Sequence, residues 1–194
     1  MEFKNKYYLM RHGQTIYQKE DRRINYRLEE NPFITLTAEG KEMVKNSIKS
    51  LKGIEIDLIF SSPYQRTKET AEIIAEFLGL KEISYDQRLV DINLGKFMGM
   101  PTEESEKFYA QERDIFNKAP EGGENWNDIL KRVKSFLHEL EEKYENKNIL
   151  IVSHADPIWL MVGYLRGYTK EDQFILSRQD KQNFYPNLAQ LIKA

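Results

Sequence analysis

The chain has 194 residues, with 31% Asp, Glu, Lys or Arg and a formal net charge of −2. That length suits one domain with a substantial core. The near-neutral balance offers no basic surface for nucleic acid, and no apolar run reaches the ~20 residues that span a bilayer. Cysteine is absent and there are only three histidines, His12, His138 and His154. This excludes disulfides and thiolate chemistry, and with no metal-site spacing neither a metal nor a cofactor is expected. The N-terminal MEFKNKYYLM has no signal-peptide character, so a cytoplasmic location is expected.

KYYLMR (6–11) reads as a buried strand, and it runs directly into Arg11-His12-Gly13. A guanidinium gives a planar fork of donors to phosphate oxygens. An imidazole held neutral can attack phosphorus. Gly13 is expected to let backbone approach a ligand. Residues 14–36 are polar without a clear period, a loop long enough to be functional or mobile. Thr37 is a good N-cap for a helix to about Leu51, with Gly53 as its stop. DLIFSS (57–62) is a second buried strand, and Pro63 occupies the first position of a helix through Phe77 that stops at Gly79. Arg66, one turn in, reaches back over the strand end. Ile83–Tyr85 and Leu89–Ile92 read as short extended pieces, the second carrying Asp91 between apolar neighbours.

Glycines and prolines from Gly95 to Gly123 bracket a charged helix at about 102–118, so 93–125 reads as a lid-like excursion rather than a core layer. Trp126–Tyr144 is a long amphipathic helix on which His138 is a surface residue. NILIVSH (148–154) is the strongest strand, and Asp156-Pro157 opens a helix through Leu165 closed by Gly167. The tail YPNLAQLIKA supplies a last edge strand. The alternation implies a three-layer α/β/α sandwich on a mainly parallel sheet, in a single domain over 1–194. Ligands of such sheets sit beyond the C-terminal strand ends, where RHG, SSP and SH all fall.

Together the motifs resemble the histidine phosphatase superfamily, in its phosphoglycerate-mutase-like branch. RHGQT (11–15) is similar to its N-terminal signature, and SSPYQRTKETAEII (61–74) to SSPxxRxxQTAxxI. RLVDINLGKFMG (88–99) is similar to LxExxxGxxEG, PEGGEN (120–125) to PxGGES, VSHADPI (152–158) to VSHxxxI, and LTAEG (36–40) to LTxxG. The resemblance implies a phosphohistidine on His12, with Arg11, Arg66 and a charged His154 around the phosphoryl oxygens and no metal. It puts Asp91 where the family has a glutamate acid. Asp156 is a rival, since a distant branch has an aspartate just after its second histidine, although Ala155 intervenes here. Gln18, in Tyr17-Gln18 where mutases carry Trp-Asn, is a further phosphate donor. Ala155, at the helix start beside His154, completes the substrate-binding set. The implied activity is metal-independent hydrolysis of a small phosphorylated metabolite. The alternatives are a cofactor-dependent phosphoglycerate mutase and a catalytically weak phospho-ligand sensor. Arg22, Arg23, Tyr26 and Arg27 are expected to add positive and aromatic character to the outer pocket; the oligomeric state is left open.

Overall fold

The structure is a computed structural model and describes residues 3–111, 115–179 and 185–194. Five strands form one sheet in the order β3-β2-β4-β1-β5. They are β1 (Lys6–Arg11), β2 (Leu58–Ser61), β3 (Ser84–Tyr85), β4 (Asn148–Ser153) and β5 (Leu191–Lys193). All pairings are parallel except that of β5, which runs antiparallel to β1 as the outer strand.

Alternation along the central strands sorts their side chains onto two faces. Tyr7 and Leu9 of β1, with Ile149 and Ile151 of β4, pack beneath α5 (Trp126–Lys143) and α6 (Ala155–Leu165). Tyr8, Met10, Leu150 and Val152 face the other way, onto α2 (Ala38–Ser47) and α3 (Gln65–Leu78). A central strand covered on both faces has to be apolar along its whole length, and β4 is buried from Ile149 to Ser153. The layers are therefore helix, sheet and helix. No helix among the described residues is long and apolar enough to cross a membrane.

The helices begin where capping chemistry allows. Thr37 accepts from the Gly40 N–H at 2.9 Å, and Asn125 forms a reciprocal box with Asp128 at the start of α5. Gly79 closes α3 in the left-handed conformation. Four expectations change. Pro63 lies in a bend before α3, whose cap is Tyr64. Leu89–Ile92 is no strand: Gln87–Leu89 form a 3₁₀ turn and Asp91 follows it in irregular chain. Residues 14–36 contain the short α1 (Ile16–Lys19) and a 3₁₀ turn at Asn31–Phe33. α7 (Lys170–Gln179) follows α6 where no element was expected.

The excursion also differs from its reading. Its helix, α4 (Thr102–Gln111), ends before 118, residues 112–114 lie outside the described residues, and 115–117 form a turn. Ile115 and Phe116 are buried in the α5/α6 core, so part of it is a core layer. It is stitched to the 14–36 segment. Asn25 donates through Nδ2 to the Phe97 carbonyl at 3.0 Å and to Ser105 at 3.1 Å. Its backbone N–H donates to Met100, and the Thr102 and Gly99 N–H groups return bonds to Arg23 and Tyr26.

Gly13 is small for a reason other than ligand approach. A Cβ there would lie 2.6 Å from the Gly40 carbonyl oxygen, and a Cβ on Gly40 would lie 2.2 Å from the Gln14 carbonyl oxygen. The turn after β1 and the first turn of α2 thus touch backbone to backbone. Gly40→Ala should force them apart and lower stability by about 2 kcal/mol, as overpacking of a close-packed contact does. Denaturant titration would read this as a lower midpoint at unchanged slope. An unchanged midpoint would show that the contact carries no stability.

Candidate active site

The parallel ladder brings the motif residues to one sheet edge. Arg11 is level with Ser153, and Ser61 with Val152. The ladder continues one residue further on both sides, with the His12 N–H donating to Ser153 at 3.1 Å and the Ser62 N–H to Val152 at 3.0 Å. His12 and His154 therefore leave neighbouring strands level with each other, and Ser62 leaves the third one residue earlier. The imidazole centroids of His12 and His154 are 5.4 Å apart. That spacing lets one phosphoryl group touch both rings.

The His12 tautomer follows from its partner. Nδ1 lies 2.7 Å from the Gly13 carbonyl, which can only accept, so Nδ1 carries the hydrogen and Nε2 keeps its lone pair. Burial holds the imidazole well below its usual titration range. The Arg66 and Arg11 charges push the same way, against the Gly13 hydrogen bond. His12 is thus a neutral base with a defined nucleophilic nitrogen.

Arg66 is 0% exposed. Its Nη1 donates to the Asn31 carbonyl at 2.7 Å, and its Nη2 reaches Asp91 Oδ2 and His154 Nδ1, each at 3.1 Å. The Tyr26 and Tyr64 rings lie over the guanidinium at 4.5 and 5.2 Å. Since Arg66 only donates, His154 Nδ1 is an acceptor and its Nε2–H donates to Ser62 Oγ at 2.9 Å. His154 is therefore neutral in this hydrogen-bonded arrangement. Burial is the main cause, and Arg66 the next.

Two donors among the described residues have no partner although buried: Nε of Arg11 and Nε of Arg66. A buried N–H without an acceptor is costly, and two of them on cations beside a pair of histidines make an anion site. Arg11 is otherwise anchored through Nη1 to the Pro186 carbonyl at 2.9 Å.

Two carboxylates border the site. Asp91 accepts from Arg66 through Oδ2 and from the Ile92 N–H through Oδ1, and Oδ2 lies 3.6 Å from His154 Nδ1. Its backbone is clamped by Arg132, which donates to the Asp91 and Arg88 carbonyls and pairs with Glu124 at 3.0 Å; Glu124 belongs to the PEGGEN motif, whereas Arg132 did not stand out in the sequence. Asp156, in the first turn of α6, accepts from Trp126 Nε1 at 3.2 Å. A hydrogen bond to Tyr185 also holds it. Burial, followed by the charge of Asp91, pushes its carboxyl up to about 6.

The remaining candidates are placed differently. Gln18 caps α1: its Oε1 accepts from the Thr15 N–H and hydroxyl, and its Nε2 donates to the Tyr26 hydroxyl at 2.7 Å. It positions Tyr26 over Arg66 and makes no hydrogen bond to the histidines. Ala155 begins α6 with His154 as N-cap, beside the ring. Arg22, Arg23 and Arg27 each pair with a nearby acid, Glu20, Asp21 and Glu30. His138, on the exposed face of α5, bonds to Tyr164 across the surface. Among the described residues no cluster of three or more His, Asp or Glu side chains could hold a metal ion.

Comparison with known proteins agrees with this geometry. The model of the histidine phosphatase superfamily (branch 1) matches residues 7–179. Phosphoserine phosphatase 1 of Hydrogenobacter thermophilus is 34% identical over 137 residues, which are 68% of this chain and 64% of that one. A 2,3-bisphosphoglycerate-dependent phosphoglycerate mutase of Thermoplasma acidophilum is 34% identical over 145 residues, 73% and 68% of the two chains. The solved structure of a mycobacterial glucosyl-3-phosphoglycerate phosphatase superposes with a TM-score of 0.77 at 22% identity, over 97% of this chain and 88% of that one. With its paired imidazoles, Arg11 at the end of β1, Arg66 in the first turn of α3 and a family match from β1 to α7, the chain belongs to the histidine phosphatase superfamily and carries the site of a histidine-type phosphatase.

Proposed function

We propose that the chain hydrolyses phosphate monoesters of small metabolites through a phosphohistidine on His12, without a metal. The observation that supports this most is the pair of buried, unpartnered Nε donors on Arg11 and Arg66 beside the His12–His154 pair. In this reading Nε2 of His12 bonds to phosphorus as the ester P–O bond breaks. Asp91 gives its proton to the departing alkoxide. Water then attacks phosphorus, Asp91 takes a proton from it, and the His12–phosphorus bond breaks to release phosphate. Arg11 and Arg66 neutralise the equatorial oxygens, and a phosphoryl dianion draws a proton onto His154. The barrier falls through positioning and fixed charge. A cytoplasmic location suits such substrates and a chain without cysteine.

Asp91 takes the acid role on geometry, since it already touches Arg66 and lies beside His154. A second reading has one observation in its favour: Asp156 titrates near 6 and so holds a proton more readily than an ordinary aspartate. Mutase activity is favoured by the mutase relative. It is tested by supplying 3-phosphoglycerate with and without 2,3-bisphosphoglycerate; hydrolysis predicts phosphate release in both and isomerisation in neither.

His12→Ala should lower turnover of p-nitrophenyl phosphate by about 10³-fold or more while circular dichroism stays unchanged. Acid-labile, base-stable phosphate should be trapped on the wild-type chain alone. Turnover by the variant at the wild-type rate would remove His12 from the mechanism. For the acid, Asp91→Asn should slow alkyl phosphates by about 10²-fold and p-nitrophenyl phosphate, whose leaving group needs little protonation, far less. If Asp156→Asn shows that contrast and Asp91→Asn does not, Asp156 is the acid.

A further inference from the structure

Asp91 stands in chain that neither helix nor strand supports: residues 90–94 are irregular. Backbone groups there have no ladder to join, so side chains must meet their hydrogen bonds. Three carbonyls in a row of four residues are held this way. Arg132 Nη1 donates to Arg88 at 2.6 Å, Ser153 Oγ to Leu89 at 2.7 Å, and Arg132 Nη2 to Asp91 at 3.2 Å. Ser153 ends β4, and Arg132 lies in the second turn of α5 next to the buried Val133. The loop that carries Asp91 is thus pinned to the sheet and to the helix above it.

Glu124 supplies the other half of the hold. Arg132 meets it with a fork, Nε to Oε1 at 3.0 Å and Nη2 to Oε2 at 3.3 Å, which fixes the plane of the guanidinium. Glu124 in turn grips the chain two residues after Asp91. Its Oε2 accepts from the Asn93 N–H at 2.9 Å, and its own N–H donates to the Asn93 carbonyl at 2.8 Å. Gly123 permits that approach, since a Cβ there would lie 2.7 Å from the Asn93 carbonyl oxygen. Asn125, the next residue after Glu124, caps α5, so both ends of the fork ride on one helix.

An aspartate carboxyl sits close to its backbone and has little freedom to make up for a displaced Cα. The contacts of Asp91 with Arg66 Nη2 at 3.1 Å and with the Ile92 N–H at 3.0 Å therefore rest on where the loop is held. Resting on the reading above in which Asp91 is the general acid, we propose that Arg132 is a positioning residue: through its fork to Glu124 and its bonds to two loop carbonyls, it holds the Asp91 backbone where the carboxyl can protonate the leaving oxygen. Misplacement by an ångström is enough to cost such a group most of its effect. The charge of Arg132 is matched by Glu124, and it acts on His154 less than burial, Arg66 and His12 do.

Benzyl phosphate and p-nitrophenyl phosphate test this, because they are of similar size and only the first leaves as a basic alkoxide. Their kcat/KM values extend only to phosphoryl transfer onto His12, so hydrolysis of the intermediate does not enter. Arg132→Lys keeps the charge and loses the fork. It should lower kcat/KM for benzyl phosphate by about tenfold or more, and for p-nitrophenyl phosphate by less than about threefold. In an Asp91→Asn background the same substitution should cost benzyl phosphate less than about twofold, since the group it positions is gone. Equal losses on both esters, or the full loss added on top of Asp91→Asn, would mark a merely structural residue and overturn the proposal. Should Arg132→Lys fail to fold, Glu124→Gln weakens the fork from its other side and is held to the same outcomes. Contrast between the esters in Asp91→Asn but none in Arg132→Lys removes the positioning role alone. If the wild type hydrolyses p-nitrophenyl phosphate only, or Asp91→Asn shows no contrast, the acid assignment falls and this proposal with it. A wild-type chain that turns over neither ester refutes the phosphatase reading itself.

Discussion

A guanidinium shut away from water is the constraint around which this fold is arranged. Burying an uncompensated charge costs far more than any single contact returns, so the chain has to bring acceptors to Arg66 from wherever it can. They come from the Asn31 turn, from Asp91 after β3 and from His154 at the end of β4, with Tyr26 and Tyr64 laying ring faces against the cation. Removing one acceptor leaves charge buried without its partner, which is the costly half of the trade. A phosphoryl group adds a stronger acceptor at the same place. The network that holds Arg66 is thus built from the same residues that border the unpartnered Nε donors.

The same network explains why the two histidines differ. A carbonyl decides the proton on His12 and an arginine decides it on His154. One ring is left with an open lone pair on Nε2, and the other accepts at Nδ1 and donates at Nε2. Their ordinary pKa values could not separate these roles. Burial beside the same cation lowers both, and only the hydrogen-bond partner distinguishes them.

What the sequence made legible was whatever depends on local chemistry. The apolar runs of β1, β2 and β4 are uninterrupted because both faces of the sheet are covered. Thr37, Asn125 and Gly79 mark helix ends by capping rules that act over three or four residues. Arg11, His12, Arg66 and His154 stood out because a strand–turn–helix context fixes where each must lie. The rest depends on contacts distant in sequence. Gly13 looked like a ligand-facing glycine, whereas its smallness answers Gly40 across the α2 turn. Ile115 and Phe116 are core residues inside a segment whose charge resembled a lid. The clamp of Arg132 on the Asp91 backbone joins residues forty-one apart, and the neutral state of His154 follows from Arg66, eighty-eight residues away. No window of sequence holds such pairs together.

The strand order also has a bearing on how the chain is made. β1 and β2 never pair with each other; the slot between them is filled by β4. During synthesis the first two strands therefore emerge with their inner edges bare, and the segment that joins them lies eighty-seven residues beyond Ser61, at Asn148. At ribosomal rates of ~5–20 residues per second that interval lasts roughly 4–17 s. Throughout it the apolar β1 and β2 present unpaired N–H and C=O groups to any other nascent strand. The tail then closes the site, with Gln190 accepting from the Arg11 N–H and the Ala189 N–H donating to His12. The site's backbone frame is therefore complete only once Ala189 and Gln190 have been made, long after the strand they serve.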